Sequence, residues 1–148
     1  MLKRMVKNQK GLTLIELLVV VVILGIIAAI AIPSIGGLIN NAKVDAHLAN
    51  AQQMINSARL YVASEADFDI SENIELQQLI DRGYMEEVED PFGNGPYDED
   101  DDAFVTVTQQ ENGTYTYTVT LDSSNEEYRI PGLSQNELNR SYFQNDND

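Results

Sequence analysis

The chain has 148 residues and a formal charge of −15, with 24 acidic side chains against nine Lys and Arg. Such an excess of negative charge repels phosphate and argues against nucleic-acid binding. Without cysteine, and with His47 as the only histidine, it has no disulfide, no thiol nucleophile, no lipid-bearing cysteine and no zinc cluster, so nothing points to an enzyme.

The N-terminal stretch carries four cations, Lys3, Arg4, Lys7 and Lys10, and no anion. Residues 12–32 follow as an apolar run in which only Thr13 and Glu16 are polar. As a helix, 21 residues extend about 30 Å, the thickness of a bilayer core. The flanking cations place the N-terminus in the cytoplasm and send the chain beyond Pro33 outward. A carboxylate inside such a run costs roughly 2.5–3.5 kcal/mol on insertion scales, which marks Glu16 as a functional residue rather than part of a plain anchor. An ordinary signal peptide cut after Ala29-Ile30-Ala31 is the plainer alternative, but it leaves Glu16 unexplained.

Lys10-Gly11 followed by Leu12-Thr13-Leu14-Ile15-Glu16-Leu17 resembles the leader junction of type IV pilins and type II secretion pseudopilins. The resemblance covers residues 10–61 closely and the remainder in general plan. It implies that a prepilin peptidase cuts between Gly11 and Leu12 and methylates the new amine of Leu12. Glu16 then stands fifth beyond the cut, where the family carries its glutamate, and Pro33 stands at the family's proline. Leu12 departs from the more usual Phe. The lack of cysteine makes the chain most similar to a Gram-positive major pilin or a pseudopilin, since many Gram-negative major pilins close the C-terminal region with a disulfide.

Cleavage would remove four of nine cations and no acid, moving the formal charge from −15 to −19 over 137 residues. The new amine would lie about 6 Å along the helix from Glu16. In a low-dielectric bundle of helices, Glu16 would pair with its own or a neighbour's amine, selecting processed subunits in register.

Beyond Pro33 the apolar pattern becomes a stripe, Val44, Leu48, Ala51, Ile55, Ala58 and Val62, at helical spacing. One long helix is therefore predicted over residues 13–63. Pro33 removes a hydrogen bond and Gly36 and Gly37 each cost roughly 1 kcal/mol of helix propensity, so a bend or melted turn is expected there. His47 falls on the polar side and reads as a surface residue. The expected organisation is a leader at 1–11, a transmembrane and filament-core helix at 12–33, an amphipathic half-helix at 34–63, and an α+β head at 64–148. A head of that size, with no disulfide, is only marginally stable on its own.

Within the head, Asp69 and Glu72 have capping-box spacing before a short helix near residues 74–80, with Gly83 just past its end. Residues 90–97 are a Gly/Pro loop. The next segment, 104–121, reads as a hairpin turning on Asn112-Gly113. A two-residue loop pairs Thr108 with Tyr117, Thr106 with Val119 and Phe104 with Leu121, and puts Phe104, Tyr117, Val119 and Leu121 toward the helix. A third strand is predicted over 126–130, ending at Pro131-Gly132. Ser134 and Glu137 are placed to cap a last helix stapled by Leu133 and Leu138, and residues 145–148 read as a disordered end.

Asp98, Asp100 and Asp102 lie in an acidic run suited to calcium, but a solvated, self-repelling loop is the better reading of it, and no cofactor is expected. Asn112-Gly113-Thr114 also matches a glycosylation sequon. The expected partners are further copies of the chain, the membrane, the peptidase, an assembly platform and minor pilins, with the precursor in the cytoplasmic membrane and the filament at the cell surface. The sequence leaves two alternatives: a secretion or competence pseudopilin, and a solitary membrane-anchored binding protein.

Overall fold

The computed structural model describes residues 11–65, 72–97 and 102–144. The chain divides into two units, Met1–Ile39 and Asn40–Asp148. A single 51-residue helix, α1 (Leu14–Ser64), begins in the first and ends in the second.

Among the described residues of the first unit every large apolar side chain is exposed, from Leu14 at 88 % to Val20 at 46 %. By length and composition the helix is able to cross a membrane. It passes through Pro33, Gly36 and Gly37 without losing helical structure, contrary to the melted turn expected from sequence. Proline forfeits the bond to one carbonyl while its neighbours keep theirs. Around both glycines there is open space, so nothing packs there to pull the backbone away from the helix.

The second unit is built on the rest of α1. Its buried residues are Val44, His47, Leu48, Ala51, Met54, Ile55, Ser57, Ala58 and Tyr61. They fall in rows seven apart, 44/51/58 and 47/54/61, with Leu48 and Ile55 beside them, so the apolar face is wider than the predicted stripe. Four strands form an antiparallel sheet in chain order: β1 (Ile74–Glu75), β2 (Ala103–Gln109), β3 (Tyr115–Leu121) and β4 (Ile130–Ser134). Val105, Val119, Leu121 and Ile130 are wholly buried in the same core as Ala51, Met54 and Ile55. The result is a long helix followed by a four-stranded sheet, an α+β fold as expected.

Several boundaries differ from expectation. Ile74 and Glu75 pair with Val105 and Phe104 as a strand, so α2 starts later, at Leu76–Asp81, and no side chain caps it. Asp69 lies outside the described residues. Gly83 does close α2: at φ +78° it lets its own amide reach Ile80 and that of Tyr84 reach Leu79. In the hairpin, Gln110 and Thr114 close the loop, leaving Glu111, Asn112 and Gly113 as three loop residues, with Gly113 at φ +83°. The predicted register is thereby shifted by one. Val105 faces Val119 and Val107 faces Tyr117, and a one-residue slip exchanges the two faces of β2. Ala103, Val105 and Val107 are buried, while Phe104 turns away, half-exposed.

Residues 126–128 form a 3-10 turn rather than a strand, and β4 runs through Pro131 and Gly132. Ser134 and Glu137 do bond, Glu137 Oε2 accepting from the Ser134 amide and hydroxyl at 2.9 and 2.6 Å, but they close a turn. The one-turn helix α3 comes later, at Ser141–Gln144. Residues 145–148 lie outside the described residues. In place of a disulfide, side-chain contacts fasten the end of the chain to α1: Arg140 pairs with Asp45 through two nitrogens, and Asn40 donates to the Tyr128 hydroxyl at 2.9 Å.

Candidate functional site

The start of α1 is built by four residues. Gly11 is exposed and makes no contact that a side chain would disturb, which leaves its backbone free to lie extended in a protease groove. Leu12 is 75 % exposed. Thr13 caps the helix, its hydroxyl accepting from the Glu16 amide at 3.3 Å. Glu16 reaches back, and its Oε2 accepts from the Thr13 amide and hydroxyl, each at 2.8 Å. Thr13-x-x-Glu16 is thus a capping box, a signal present in the sequence but missed in reading it. Both bonds fall on Oε2, and Oε1 takes none among the described residues. Glu16 also lines a shallow apolar depression with Leu12, Ile15, Val19 and Val20. The carboxylate is therefore held in one orientation by its own helix, with one oxygen left for another donor.

Asp98 and Asp100 lie outside the described residues and Asp102 is exposed. Among the described residues no group of three or more His, Asp or Glu side chains is arranged to hold a metal.

His47 is the main surprise, being fully buried instead of on the surface. Its Nδ1 is hydrogen-bonded to the Tyr97 hydroxyl at 2.8 Å, the donor being set by the imidazole tautomer, and that hydroxyl accepts from Asn50 at 3.1 Å. Nε2 is buried without a hydrogen-bond partner; the carbonyls of Leu121 and Tyr128 nearby favour a proton there but are not in bonding geometry. Burial holds the pKa of His47 below its ordinary 6.5, against the opposing pull of Asp90. Burial likewise pushes the Tyr97 hydroxyl up. Asp90 is 97 % buried and staples the 90–97 loop to Ser124: Oδ2 accepts from the Ser124 amide at 2.7 Å and hydroxyl at 2.6 Å, and Oδ1 from Phe92 at 2.9 Å. Burial raises its pKa, yet those hydrogen bonds and His47 outweigh burial and leave it below the ordinary 3.8. These groups are structural, and the row 47/54/61 was the sign that His47 faces inward.

Comparison with known protein families finds a match at residues 6–32, less than a fifth of the chain. The chain carries the prokaryotic N-terminal methylation motif. This class III signal is characteristic of type IV pilins and pseudopilins, which are structural rather than enzymatic proteins. No curated protein and no solved structure matches the chain. With its long helix and four-stranded sheet, the architecture of this motif-bearing chain is pilin-like.

Proposed function

We propose that the chain is the major structural subunit of a type IV pilus, made as a membrane-inserted precursor with its N-terminus in the cytoplasm. A prepilin peptidase cleaves between Gly11 and Leu12 and methylates Leu12. The processed subunit then polymerises through residues 12–33 with the help of an assembly platform and minor pilins. The observation that carries the reading is Glu16, held by Thr13 with one oxygen unused, on the exposed apolar stretch of α1 five residues past the junction. A carboxylate in a dry bundle of helices is tolerated only when paired, and the cleaved amine of a neighbouring subunit is the cation that processing creates. Its arrival at Oε1 would neutralise both charges while Thr13 keeps Glu16 in position.

The first measurement is mass spectrometry of the mature chain, which should begin at methylated Leu12. A start at Ile32 would mean an ordinary signal peptide and end this reading. The second separates charge from capping. Glu16→Ala and Glu16→Gln precursors should both insert and be cleaved but yield no filaments, although glutamine still caps the helix. Normal filaments from Glu16→Gln would show that the charge is dispensable.

A further inference from the structure

The tip of the β2–β3 hairpin holds Asn112, whose side chain folds back onto the loop. Asn112 and Gly113 are exposed, and Gly113 sits at φ +83° in open space. The carbonyl oxygen Oδ1 of Asn112 accepts two hydrogen bonds from one neighbour, the Thr114 amide at 3.0 Å and the Thr114 hydroxyl at 2.6 Å. Two donors on one amide oxygen draw electron density from Cγ. They are also placed where negative charge collects when that carbon is attacked, the arrangement of an oxyanion hole.

We propose that Asn112 is a self-modifying site, converted without any enzyme to aspartate and isoaspartate through attack by the Gly113 backbone nitrogen. The Gly113 amide loses its proton to hydroxide, and its nitrogen forms a bond to Asn112 Cγ. The electron pair moves onto Oδ1, where the two Thr114 donors stabilise it. Collapse of that intermediate breaks the Cγ–Nδ2 bond, and Nδ2 takes a proton from water and leaves as ammonia. Water then opens the five-membered imide at either carbonyl, giving aspartate by attack at Cγ or isoaspartate by attack at the backbone carbon. The sum is amide plus water to carboxylate plus ammonium, with no change of oxidation state.

Residue 113 being glycine leaves the attacking nitrogen uncrowded. One contact opposes the reaction: the Gly113 amide donates to Gln110 at 2.9 Å and must release before it attacks. The rate is thereby coupled to fraying of the hairpin tip, the low-stability end of the sheet. Each converted copy gains one negative charge at an exposed turn, and each isoaspartate copy gains an extra backbone carbon in a three-residue loop.

The test is peptide mapping of the full chain, purified in detergent and held at mildly alkaline pH and body temperature. Conversion should accumulate at Asn112 ahead of the other exposed asparagines. Thr114→Val, which removes the hydroxyl but keeps the amide donor, should slow it about 2- to 10-fold, the weight of one hydrogen bond. Thr114→Ser should restore the parent rate, and the difference between the variants should vanish in urea. The proposal is overturned if folding protects Asn112 while the unfolded chain reacts, or if Thr114→Val ages as fast as the parent. It is equally overturned if the protein isolated from its cells carries a glycan on Nδ2, since that nitrogen could no longer leave as ammonia.

Discussion

Protonating His47 would place a cation among Phe92, Tyr97 and Phe143, with ring centroids 5.8–6.4 Å away. Because its folded pKa lies below 6.5, the unfolded chain binds the proton more readily, so stability falls as pH drops below 6.5 toward the folded value. Asp90 works at lower pH. Its folded pKa lies below 3.8, so its contribution is complete above that value and is lost as pH falls through the folded pKa. Thermal unfolding of the full chain in detergent should therefore show a melting temperature that declines from about pH 7 to about pH 5, and His47→Gln should flatten that decline. Gly93 gives a second check on the same corner. A Cβ there would meet Ser124 Oγ at 2.7 Å and Asp90 Oδ2 at 3.0 Å. Gly93→Ala should cost about 1–3 kcal/mol in denaturant titration, the usual penalty for overpacking, whereas the open position Gly95 should accept alanine at little cost. At this scale Glu16 was legible because its charge contradicts its neighbours. His47 was not, because a polar side chain on a mixed helix is assigned to the wet face unless the rows through Met54 and Tyr61 are traced.

The elements turn on the balance between pattern and punctuation. Asn112-Gly113 serves two-residue and three-residue hairpin loops alike, so the turn alone could not set the register. The Val/Thr alternation in β2 could: Val105 and Val107 share one face, Thr106 and Thr108 the other. Phe104 falls on the inner face only when the count starts from a two-residue loop, and the third loop residue turns it outward. The two registers make opposite forecasts for mutants. Val105→Thr should destabilise by about 1.5–3 kcal/mol, the value of burying a valine, and Phe104→Thr by clearly less. The reverse order in equilibrium unfolding would restore the two-residue loop. The displaced strand and last helix near the C-terminus have a similar cause. Pro131 and Gly132 normally end strands, yet at a sheet edge a proline's missing amide faces no partner. Ser134 and Glu137 bond as a capping box would, but what they close is a turn.

Charge dominates at the scale of the whole chain. With a formal charge of −15, or −19 once residues 1–11 are removed, the protein repels itself at low ionic strength. Its melting temperature should rise between about 10 and 150 mM sodium chloride as the Debye length shrinks from roughly 30 to 8 Å. Calcium at matched ionic strength separates screening from a site. A further rise of the form RT ln(1 + [L]/Kd) would assign a ligand to the run around Asp98, Asp100 and Asp102, and identical curves would leave that run as a solvated surface. The membrane-length helix was legible from composition, because residues 12–32 hold only two polar side chains.

The two borders of the sheet bear on how many such chains could stand side by side. An uncovered, regular strand invites a neighbour's backbone to continue the ladder. Here one border strand, β1, offers only two residues, and the other, β4, is interrupted by Pro131, by Gly132 at φ +68° and by a shift of register between Val119 and Leu121. Neither border presents a template long or even enough to zip. Copies crowded along a fibre would keep their sheets separate, so that contact between them is left to the apolar helices and each acidic surface stays individually wetted.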